Sequence, residues 1–506
     1  MSSREAEIIL IRGADVLTMA AGEEIRPSRA DVLIESGRIT GLGADLAVPA
    51  GAEIVEAAGR LVMPGLVNAH LHSSEMFLRG RYERLPLEMW LCWSYPFFGL
   101  EPPDLELLRL RSLLVAMESL RSGVTMISDD FFDPPAHHLA RLGTVFSAYD
   151  EAGIRANVSS GLMNRPYLDT LAYGREVFPA RVQAQLDFPL TGADEYTTFC
   201  EAVFRTLHNS GDGRLRYMLA PSGPQRCTVE LMQACRDLAR QWQVPYHTHV
   251  LETRTQAVTA DKLFGGSIVR YMHEHGLLNP NVLMAHAVWI TDEDIALMAD
   301  AGVSVSWNIL ANLKLGSGLA PVRRLLNAGI NVALGTDGAS SNDTLRLFDV
   351  LRAAALVSSA TAKGPMAGLS SGEVLHAATL GGAQAAMLAE TTGSLEVGKQ
   401  ADLIILDLSH GTAFTPLSDV VNQLVYCENG SSVESVMVDG CFVIRDGSFT
   451  RLDEAGILSE MRARMPAFLR QHQTTEAMNS FLIPLFQEVI ARCDRVPVAA
   501  ERYLPS

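Results

Sequence analysis

The chain has few cysteines, no long apolar run and no excess of basic residues. Seven cysteines are scattered over 506 residues without a CxxC pair, so we expect reduced thiols in a cytoplasmic protein and no zinc knuckle or redox dithiol. A net charge of -17 disfavours nucleic acid and anionic lipid as partners. No apolar run is long enough to cross a bilayer, and residues 1–7 lack a signal-peptide pattern, so neither export nor a membrane partner is expected.

Several common catalytic motifs are also missing. The sequence contains no GxxxxGK[ST], GxSxG or HExxH pattern, which argues against a phosphate-binding loop, a serine nucleophile elbow and a helical zinc protease site. The PCxxC signature of nucleic-acid-editing deaminases is absent as well. What is present is a hydrophobic content of 48%, enough to bury a large core in one barrel-sized domain with additions or in several smaller domains.

The central part of the chain alternates short apolar strands with longer helical patterns, which is typical of a parallel sheet in an α/β protein. We predict eight strands, at residues 61–67, 124–127, 154–158, 216–219, 244–247, 282–285, 303–306 and 332–334. Eight such units predict a TIM (β/α)8 barrel, whose active site lies at the carboxyl ends of the strands. The flanking β-rich segments predict a small β-sandwich domain built from both termini.

The predicted domain division follows from these changes of pattern. Residues 1–60 and 396–450 would supply the two parts of the β-sandwich, residues 61–395 the barrel, and residues 451–506 a helical extension. Helix boundaries are readable in places: Asp104 precedes a helical run that closes at Gly123, and Thr291 with Asp294 has the pattern of a capping box.

Histidines and acids follow the predicted strands at the end where a barrel carries its active site. A lone histidine at a strand end is more often structural than a ligand, but convergence of four barrel positions reverses that preference. Three neutral imidazoles and one carboxylate suit a divalent metal such as zinc. The residues concerned are His70, His72, His247, His249, His286 and Asp337.

The sequence resembles the mononuclear aminohydrolase branch of the amidohydrolase superfamily, which includes cytosine, guanine and S-adenosylhomocysteine deaminases and the s-triazine hydrolases. The resemblance rests on residues 64–72 (PGLVNAHLH), 249–252 (HVLE), 283–287 (LMAHA), 312–318 (NLKLGSG), 335–338 (GTDG) and 393–403 (GSLEVGKQADL). It implies that the metal is held by His70, His72, His249 and Asp337, and that Glu252, His286 and Asp337 are catalytic.

The same resemblance selects His249 over His247 as the ligand, because the family places a glutamate three residues after that histidine, as Glu252 is placed here. His247 would then be a core residue or would support the ligands from behind. Binuclear relatives use a lysine on the fourth strand, and residues 216–221 contain none. We therefore expect one Zn²⁺ per chain, with Fe²⁺ as the alternative.

The implied reaction is hydrolytic deamination of a planar nitrogen heterocycle that is purine-, pyrimidine- or triazine-like. By resemblance, Asp337 would accept the proton of the attacking water, Glu252 would protonate a ring nitrogen and His286 would orient the nucleophile. Hydrolysis of another bond on the same scaffold, such as triazine dechlorination or opening of a cyclic amide, is the nearest alternative. A catalytically inactive scaffold relative is the alternative of another class.

The predicted substrate contacts depart from those of the nucleoside-type relatives. Ser222 stands where these relatives carry a histidine, with Gln225 shortly after it, and Trp307 could supply a flat wall for a planar ring. Glu88 and Trp90 lie in a segment similar to one that meets the substrate in S-adenosylhomocysteine-type relatives. For Trp307, Glu88 and Trp90 the alternative is that they pack or are solvated without touching substrate.

Self-association is a further expectation from the resemblance. A homodimer or higher homo-oligomer would also cover the apolar, aromatic segment 85–100, which we expect to be a loop.

Overall fold

A computed structural model of the chain describes residues 8–132, 137–187, 190–364 and 366–503. Residues 1–7, on which the prediction of no signal peptide rests, lie outside the described residues. Within the described ranges, no helix combines the length and the apolarity needed to span a bilayer.

The strands fall into three groups along the chain. The first group is β1 (Ile8–Val16), β2 (Ser28–Glu35), β3 (Arg38–Gly43), β4 (Glu53–Glu56) and β5 (Arg60–Pro64). The central group is β6 (Leu66–Leu71), β7 (Val124–Asp129), β8 (Arg155–Val158), β9 (Leu215–Tyr217), β10 (Tyr246–Val250), β11 (Val282–His286), β12 (Ser304–Trp307) and β13 (Asn331–Leu334). The last group is β14 (Leu403–Asp407), β15 (Val433–Val438), β16 (Cys441–Arg445) and β17 (Ser448–Phe449).

Helices separate the central strands and close the chain. They are α1 (Leu87–Ser94), α2 (Leu105–Arg121), α3 (Leu139–Ala152), α4 (Gly174–Val177), α5 (Ala180–Leu186), α6 (Ala193–Thr206), α7 (Val229–Trp242), α8 (Arg254–Phe264), α9 (Ile268–Glu274), α10 (Asp292–Ala301), α11 (Ile309–Lys314), α12 (Val322–Asn327), α13 (Leu347–Thr361), α14 (Ser371–Ala377), α15 (Leu380–Ala385), α16 (Val420–Tyr426), α17 (Glu454–Asn479) and α18 (Ile483–Asp494).

The predicted helix boundaries are confirmed by their capping contacts. The Asp104 carboxylate accepts a hydrogen bond from the amide of Leu107 at 2.7 Å, which satisfies one free N–H at the start of α2. Thr291 and Asp294 form a reciprocal capping box at the start of α10.

The eight central strands form two parallel sheets of four, ordered β6-β7-β8-β9 and β10-β11-β12-β13. The sheets contact each other at both edges. Beyond β9, the amide of His247 donates to the carbonyl of Leu219 at 2.8 Å. At the other edge, the amide of Asp337 donates to the carbonyl of His70 at 3.0 Å. All eight strands therefore run in the same direction, and their carboxyl ends meet at one face.

Strands from both terminal regions join one further sheet of nine strands, in the order β17-β16-β15-β14-β5-β1-β2-β3 with β4 paired to β1. The single strand predicted at residues 61–67 is wrong, because β5 belongs to this sheet and β6 to the parallel one. The break lies at Gly65, where a Cβ atom would stand 2.1 Å from Oγ1 of Thr125. Only glycine lets the chain pass this close to β7 as it changes sheets.

The segment 85–100 is not the bare loop that the sequence predicts. It contains α1, which packs against α17 and α18 of the same chain, and Leu87, Trp90 and Cys92 are buried. The C-terminal helices therefore supply the cover that we had assigned to a second subunit, and this segment does not by itself require one.

A buried ion pair ties the parallel strands to the nine-stranded sheet. Nε and one terminal nitrogen of Arg155 on β8 donate to the two carboxylate oxygens of Asp402 at 2.6 and 3.0 Å. The same carboxylate accepts the amide of Asp439 at 2.6 Å, and the carbonyl of Asp402 accepts the amide of Gly65. The side chains of Arg155 and Asp402 are 4% and 0% exposed. Burial at this level makes the loss of either charge costly.

We predict that Asp402→Asn lowers the free energy of unfolding by about 3 kcal/mol, because it removes the charge that compensates a buried guanidinium. Glu454→Gln is the matched control, since Glu454 pairs with Arg121 at an exposed position and its loss should cost less than about 1 kcal/mol. Denaturant titration of both variants measures the difference, and equal unfolding midpoints would contradict it.

Candidate metal centre

Six buried histidine and acidic side chains meet where the parallel strands end. His70 lies in β6, and His72 is the first residue after that strand. His247 and His249 lie in β10, His286 is the last residue of β11, and Asp337 follows β13 by three residues. All of these are buried except His72, whose side chain is 13% exposed. The convergence predicted from the sequence is therefore present in the structure.

Strand β10 begins two residues and ends three residues later than predicted, so that both of its histidines lie on the strand itself. The His247 ring stacks on that of His70 with centroids 4.7 Å apart and planes 15° apart. Burial, followed by the neighbouring imidazoles, holds the pKa of His247 well below its ordinary value. Neither of its ring nitrogens has a hydrogen-bond partner among the described residues.

Backbone carbonyls fix the orientation of two imidazoles. Nδ1 of His72 lies 2.8 Å from the carbonyl oxygen of Asp130, and Nδ1 of His249 lies 2.7 Å from that of Ser222. A carbonyl only accepts, so each Nδ1 carries hydrogen, and in the neutral ring each Nε2 keeps its lone pair. The two Nε2 atoms face each other at 3.2 Å. Two lone pairs at that distance need a proton or a metal cation between them.

Asp337 completes the donor set. One of its oxygens, Oδ1, lies 3.4 Å from Nε2 of His70 and 3.6 Å from Nε2 of His72. Burial acts to raise the pKa of Asp337, but hydrogen bonding to His70 and the surrounding imidazoles outweigh it, and the net shift is strongly downward. Its backbone is left-handed, with φ of 62°, a cost that non-glycine residues bear mainly at functional sites.

These donors fit a transition metal. Ligand atoms of His70, His72 and Asp337 lie within 4.8 Å of one another, as do those of His70, His249 and His286. Apart from the approach of Asp337 to Nε2, the ring nitrogens of His70 have no polar partner among the described residues. Three imidazole nitrogens and one carboxylate, all buried and converging, match the preference of zinc for tetrahedral nitrogen and oxygen ligands.

His286 differs from the other histidines in its tautomer. Its Nδ1 accepts a hydrogen bond from the side-chain amide of Asn312 at 3.0 Å, which places the ring hydrogen on Nε2. That nitrogen lies 3.7 Å from a carboxyl oxygen of Glu252 and 3.9 Å from one of Asp337. Desolvation by burial lowers the pKa of His286 to about 3, so the ring is neutral and points an N–H into the site.

Glu252 lies beside this N–H, and its pKa is shifted in the opposite direction to that of Asp337. Burial, reinforced by the negative charge of Asp337, raises the pKa of Glu252 well above its ordinary value. The hydroxyl of Ser317 donates to Glu252 at 3.4 Å. One carboxyl group of the site is therefore held as a base and the other as an acid, which is the arrangement that proton transfer needs.

Sequence reasoning missed three residues of the site. Asp130 directly follows β7 and brings a carboxylate oxygen to 4.0 Å from both His72 and His249. Glu75 lines the cavity, where burial raises its pKa to about 7, and its Oε2 accepts hydrogen bonds from the amides and hydroxyls of Ser340 and Ser341. Arg226 is the third. The acidic pair Asp129-Asp130 after a predicted strand was the only signal available.

A cavity of about 440 Å³ opens beside the centre, within the usual range for small-molecule sites. Of the substrate residues predicted from the sequence, Trp90 and Ser222 line it. Glu88 and Gln225 are buried without lining it, and Glu88 instead accepts a hydrogen bond from Thr253 at 2.8 Å.

The structure does not support Trp307 as a wall for the substrate ring. Trp307 is the last residue of β12 and lines a second cavity, together with Val322, Leu326 and Leu334. Its neighbour Ser306 points the other way, toward Gly335 and His70. Because side chains alternate along a strand, Trp307 faces away from the metal centre.

Known proteins resemble this chain over most of its length. A 5'-deoxyadenosine deaminase of Methanosarcina mazei is 34% identical over 461 residues, covering 89% of this chain and 96% of the relative. A 5-methylthioadenosine/S-adenosylhomocysteine deaminase of Nitratidesulfovibrio vulgaris is 34% identical over 460 residues, covering 90% of this chain and 96% of the relative.

Solved structures share the fold as well as the sequence. An atrazine chlorohydrolase of Arthrobacter aurescens, complexed with zinc, matches with a TM-score of 0.80 and 29% identity, covering 90% of this chain and 100% of the other. An adenosine deaminase of Xanthomonas campestris with bound zinc matches with a TM-score of 0.79 and 28% identity over 91% and 98%. A profile of the amidohydrolase family matches residues 61–443. With three quarters of its length matched and the histidine and aspartate cluster in place, the chain belongs to the amidohydrolase family.

Proposed function

We propose that this protein is a zinc-dependent aminohydrolase that removes an amino group from a planar nitrogen heterocycle. One observation carries the proposal: ligand atoms of His70, His72 and Asp337 cluster within 4.8 Å, and Nε2 of His249 faces that of His72 at 3.2 Å. An acidic Glu252 and the N–H of His286 lie beside them. Relatives named as deaminases of adenosine derivatives support the reaction.

We propose one zinc ion per chain, held by His70, His72, His249 and Asp337. The facing Nε2 atoms of His72 and His249 support this ligand set, since an ion would resolve the opposition of their lone pairs. His286 is left out because its hydrogen lies on the nitrogen that faces the site. His247 would support the cluster by stacking on His70.

Three side chains of the protein then have separate roles in the hydrolysis. A bound zinc ion supplies Lewis acidity, which makes a water molecule acidic enough to lose a proton near neutral pH. Asp337 accepts that proton, for which its lowered pKa leaves it ionised. The Nε2–H of His286 hydrogen-bonds the attacking oxygen and orients it. Glu252, protonated because burial raises its pKa, gives its proton to the ring nitrogen next to the carbon under attack. Asp337 then passes the proton it accepted to the amino group, which leaves as ammonia. The new hydroxyl returns a proton to Glu252 as it becomes the oxo group of the product.

The positions of the ligands also support a finer description of the fold. We propose that the two parallel sheets close into a (β/α)8 barrel within the predicted range 61–395, beginning at β6 because β5 belongs to the nine-stranded sheet. The hydrogen bonds from His247 to Leu219 and from Asp337 to His70 join the sheets at both edges, as does the pairing of Asn68 with Thr336. The β-sandwich of residues 1–60 and 396–450 and the helical extension of residues 451–506 stay predictions.

A second reaction on the same centre is displacement of chloride from a triazine. The similarity to a zinc-complexed atrazine chlorohydrolase is as close as that to an adenosine deaminase. Assays for ammonia and for chloride over aminated and chlorinated purines, pyrimidines and triazines separate the two reactions. Chloride release without ammonia from any aminated ring would overturn deamination.

We predict that His249→Asn loses the metal. Purified wild-type protein dialysed against zinc should hold about one ion per chain, and the variant should hold almost none, because one of the opposed nitrogens is gone. His247→Asn should keep its ion, and His376→Asn, on α14 away from the centre, controls for histidine content. Elemental analysis reads the result; full zinc occupancy in His249→Asn would show the ligand set to be wrong.

We predict that Glu252→Gln retains zinc but lowers kcat by about 100- to 10,000-fold, because an amide cannot transfer the proton that the ring nitrogen needs. Glu230→Gln, at the exposed start of α7, is the control and should leave kcat unchanged. Steady-state kinetics with parallel zinc analysis distinguishes a lost proton donor from a lost metal. Near-normal turnover of Glu252→Gln would remove Glu252 from the mechanism.

A further inference from the structure

Arg226 places a guanidinium at the wall of the catalytic cavity without a carboxylate to neutralise it. Its side chain lines the cavity and donates one hydrogen bond, to the hydroxyl of Ser222 at 3.2 Å. Within the described part of the chain it forms no ion pair. A guanidinium carries five N–H donors, so most of its hydrogen-bonding capacity is left for a ligand.

The loop after β9 holds Arg226 rigidly in place. The amide of Arg226 donates to the carbonyl of Gly223 at 2.9 Å, and its own carbonyl accepts the amides of Asn164 and Arg165, both at 3.1 Å. Three backbone hydrogen bonds fix the Cα position of a side chain that lies beside the reaction centre. Such fixed placement suits a residue that selects among ligands.

Ser222 connects the guanidinium directly to the metal centre. Its carbonyl accepts from Nδ1 of His249 at 2.7 Å, and its hydroxyl accepts from Arg226. Only one residue therefore separates Arg226 from a proposed zinc ligand. Arg226 and His249 line the same cavity, and so do the apolar side chains of Leu87, Leu91 and Phe97.

Two carboxyl groups, those of Glu88 and Glu252, lie near enough for the charge of Arg226 to act to lower their pKa, but neither forms an ion pair with it. The carboxyl oxygen of Glu88 is occupied by the hydroxyl of Thr253 at 2.8 Å, and burial raises the pKa of Glu88. A partly desolvated guanidinium without a counter-charge is unfavourable, and an acceptor oxygen on the ligand would offset that cost. Two parallel N–H groups of arginine can both donate to the lone pairs of one oxo oxygen.

We propose that Arg226 binds an oxo group on the substrate ring, so that the preferred substrates are amino-oxo heterocycles and not aminated rings that lack oxygen. This inference rests on the proposed deaminase function and names the substrate class within it. It also separates this chain from its relatives named for 5'-deoxyadenosine and 5-methylthioadenosine, whose adenine ring carries an amino group but no oxo group.

Matched ring pairs test the inference, each with the same amino group and differing in one oxo group. Suitable pairs are isoguanine with adenine, guanine with 2-aminopurine, pterin with 2-aminopteridine, and ammeline with 2,4-diamino-1,3,5-triazine. For the zinc-loaded wild-type protein we expect kcat/KM for the oxo member of a pair to exceed that of its partner by about 10- to 100-fold, the range for a hydrogen bond to a charged group.

Arg226→Met keeps the length of the side chain and removes its charge and donors. We expect the oxo preference to fall to about onefold in this variant and to be retained in part by Arg226→Lys, which keeps charge without the planar fork. Arg240→Met removes the same charge from the exposed end of α7 and should retain the full preference. Zinc content and the thermal midpoint of each variant report whether folding and the metal centre survive.

Equilibrium binding of the same eight rings provides a readout that does not depend on turnover. Equal kcat/KM for both members of every pair, or an oxo preference that survives in Arg226→Met, would overturn the inference while leaving deamination intact. Tight, Arg226-dependent binding of oxo rings without ammonia release would overturn the proposed reaction while leaving the inference intact. Neither binding nor turnover of any ring would overturn both.

Discussion

The rest of the site depends on two imidazole nitrogens, of His72 and His249, that face each other and need a cation between them. Their Nε2 atoms face each other at 3.2 Å because each Nδ1 is bound to a backbone carbonyl, at Asp130 and Ser222. Those carbonyls belong to the chain just beyond β7 and β9, so the ends of the parallel strands themselves direct the lone pairs inward. A cation between them relieves the opposition, and the nearby carboxylate of Asp337 supplies the compensating charge.

Around that point the protein assigns each titratable group one protonation state by what it places next to it. Imidazoles surround Asp337 and hold it ionised, whereas burial and the charge of Asp337 hold Glu252 protonated. Asn312 selects the tautomer of His286. The base, the acid and the orienting N–H of the proposed mechanism are thus separated by environment and not by residue type, so two carboxyl groups in one cavity can take opposite roles.

Much of this could be predicted from the sequence, because hydrophobic periodicity locates strands and the ends of parallel strands share one face. The errors come from where a strand begins or ends. Placing the end of β12 one residue early put Trp307 on the cavity side, although alternation on the strand turns it toward Val322 and Leu334. The chain changes sheets at Gly65, but residues 61–67 form one apolar run in which this change is not visible. Arg226 carried no sequence signal, because the proposal for it depends on the lack of an ion-pair partner among the described residues.

The C-terminal region packs against segments that line the cavity. Helix α18 covers α1, which carries the cavity residue Trp90. Beyond α18, the guanidinium of Arg502 donates to the carbonyl of Val288 at 2.8 Å, and its own carbonyl accepts the amide of Leu319 at 2.9 Å. These contacts hold the segments that follow β11 and α11, the latter containing Ser317, which donates to Glu252. The C-terminal tail therefore contacts the same loop that hydrogen-bonds Glu252, the acid of the proposed reaction. Arg502, more than two hundred positions after the histidines of the site, helps to hold that loop in place.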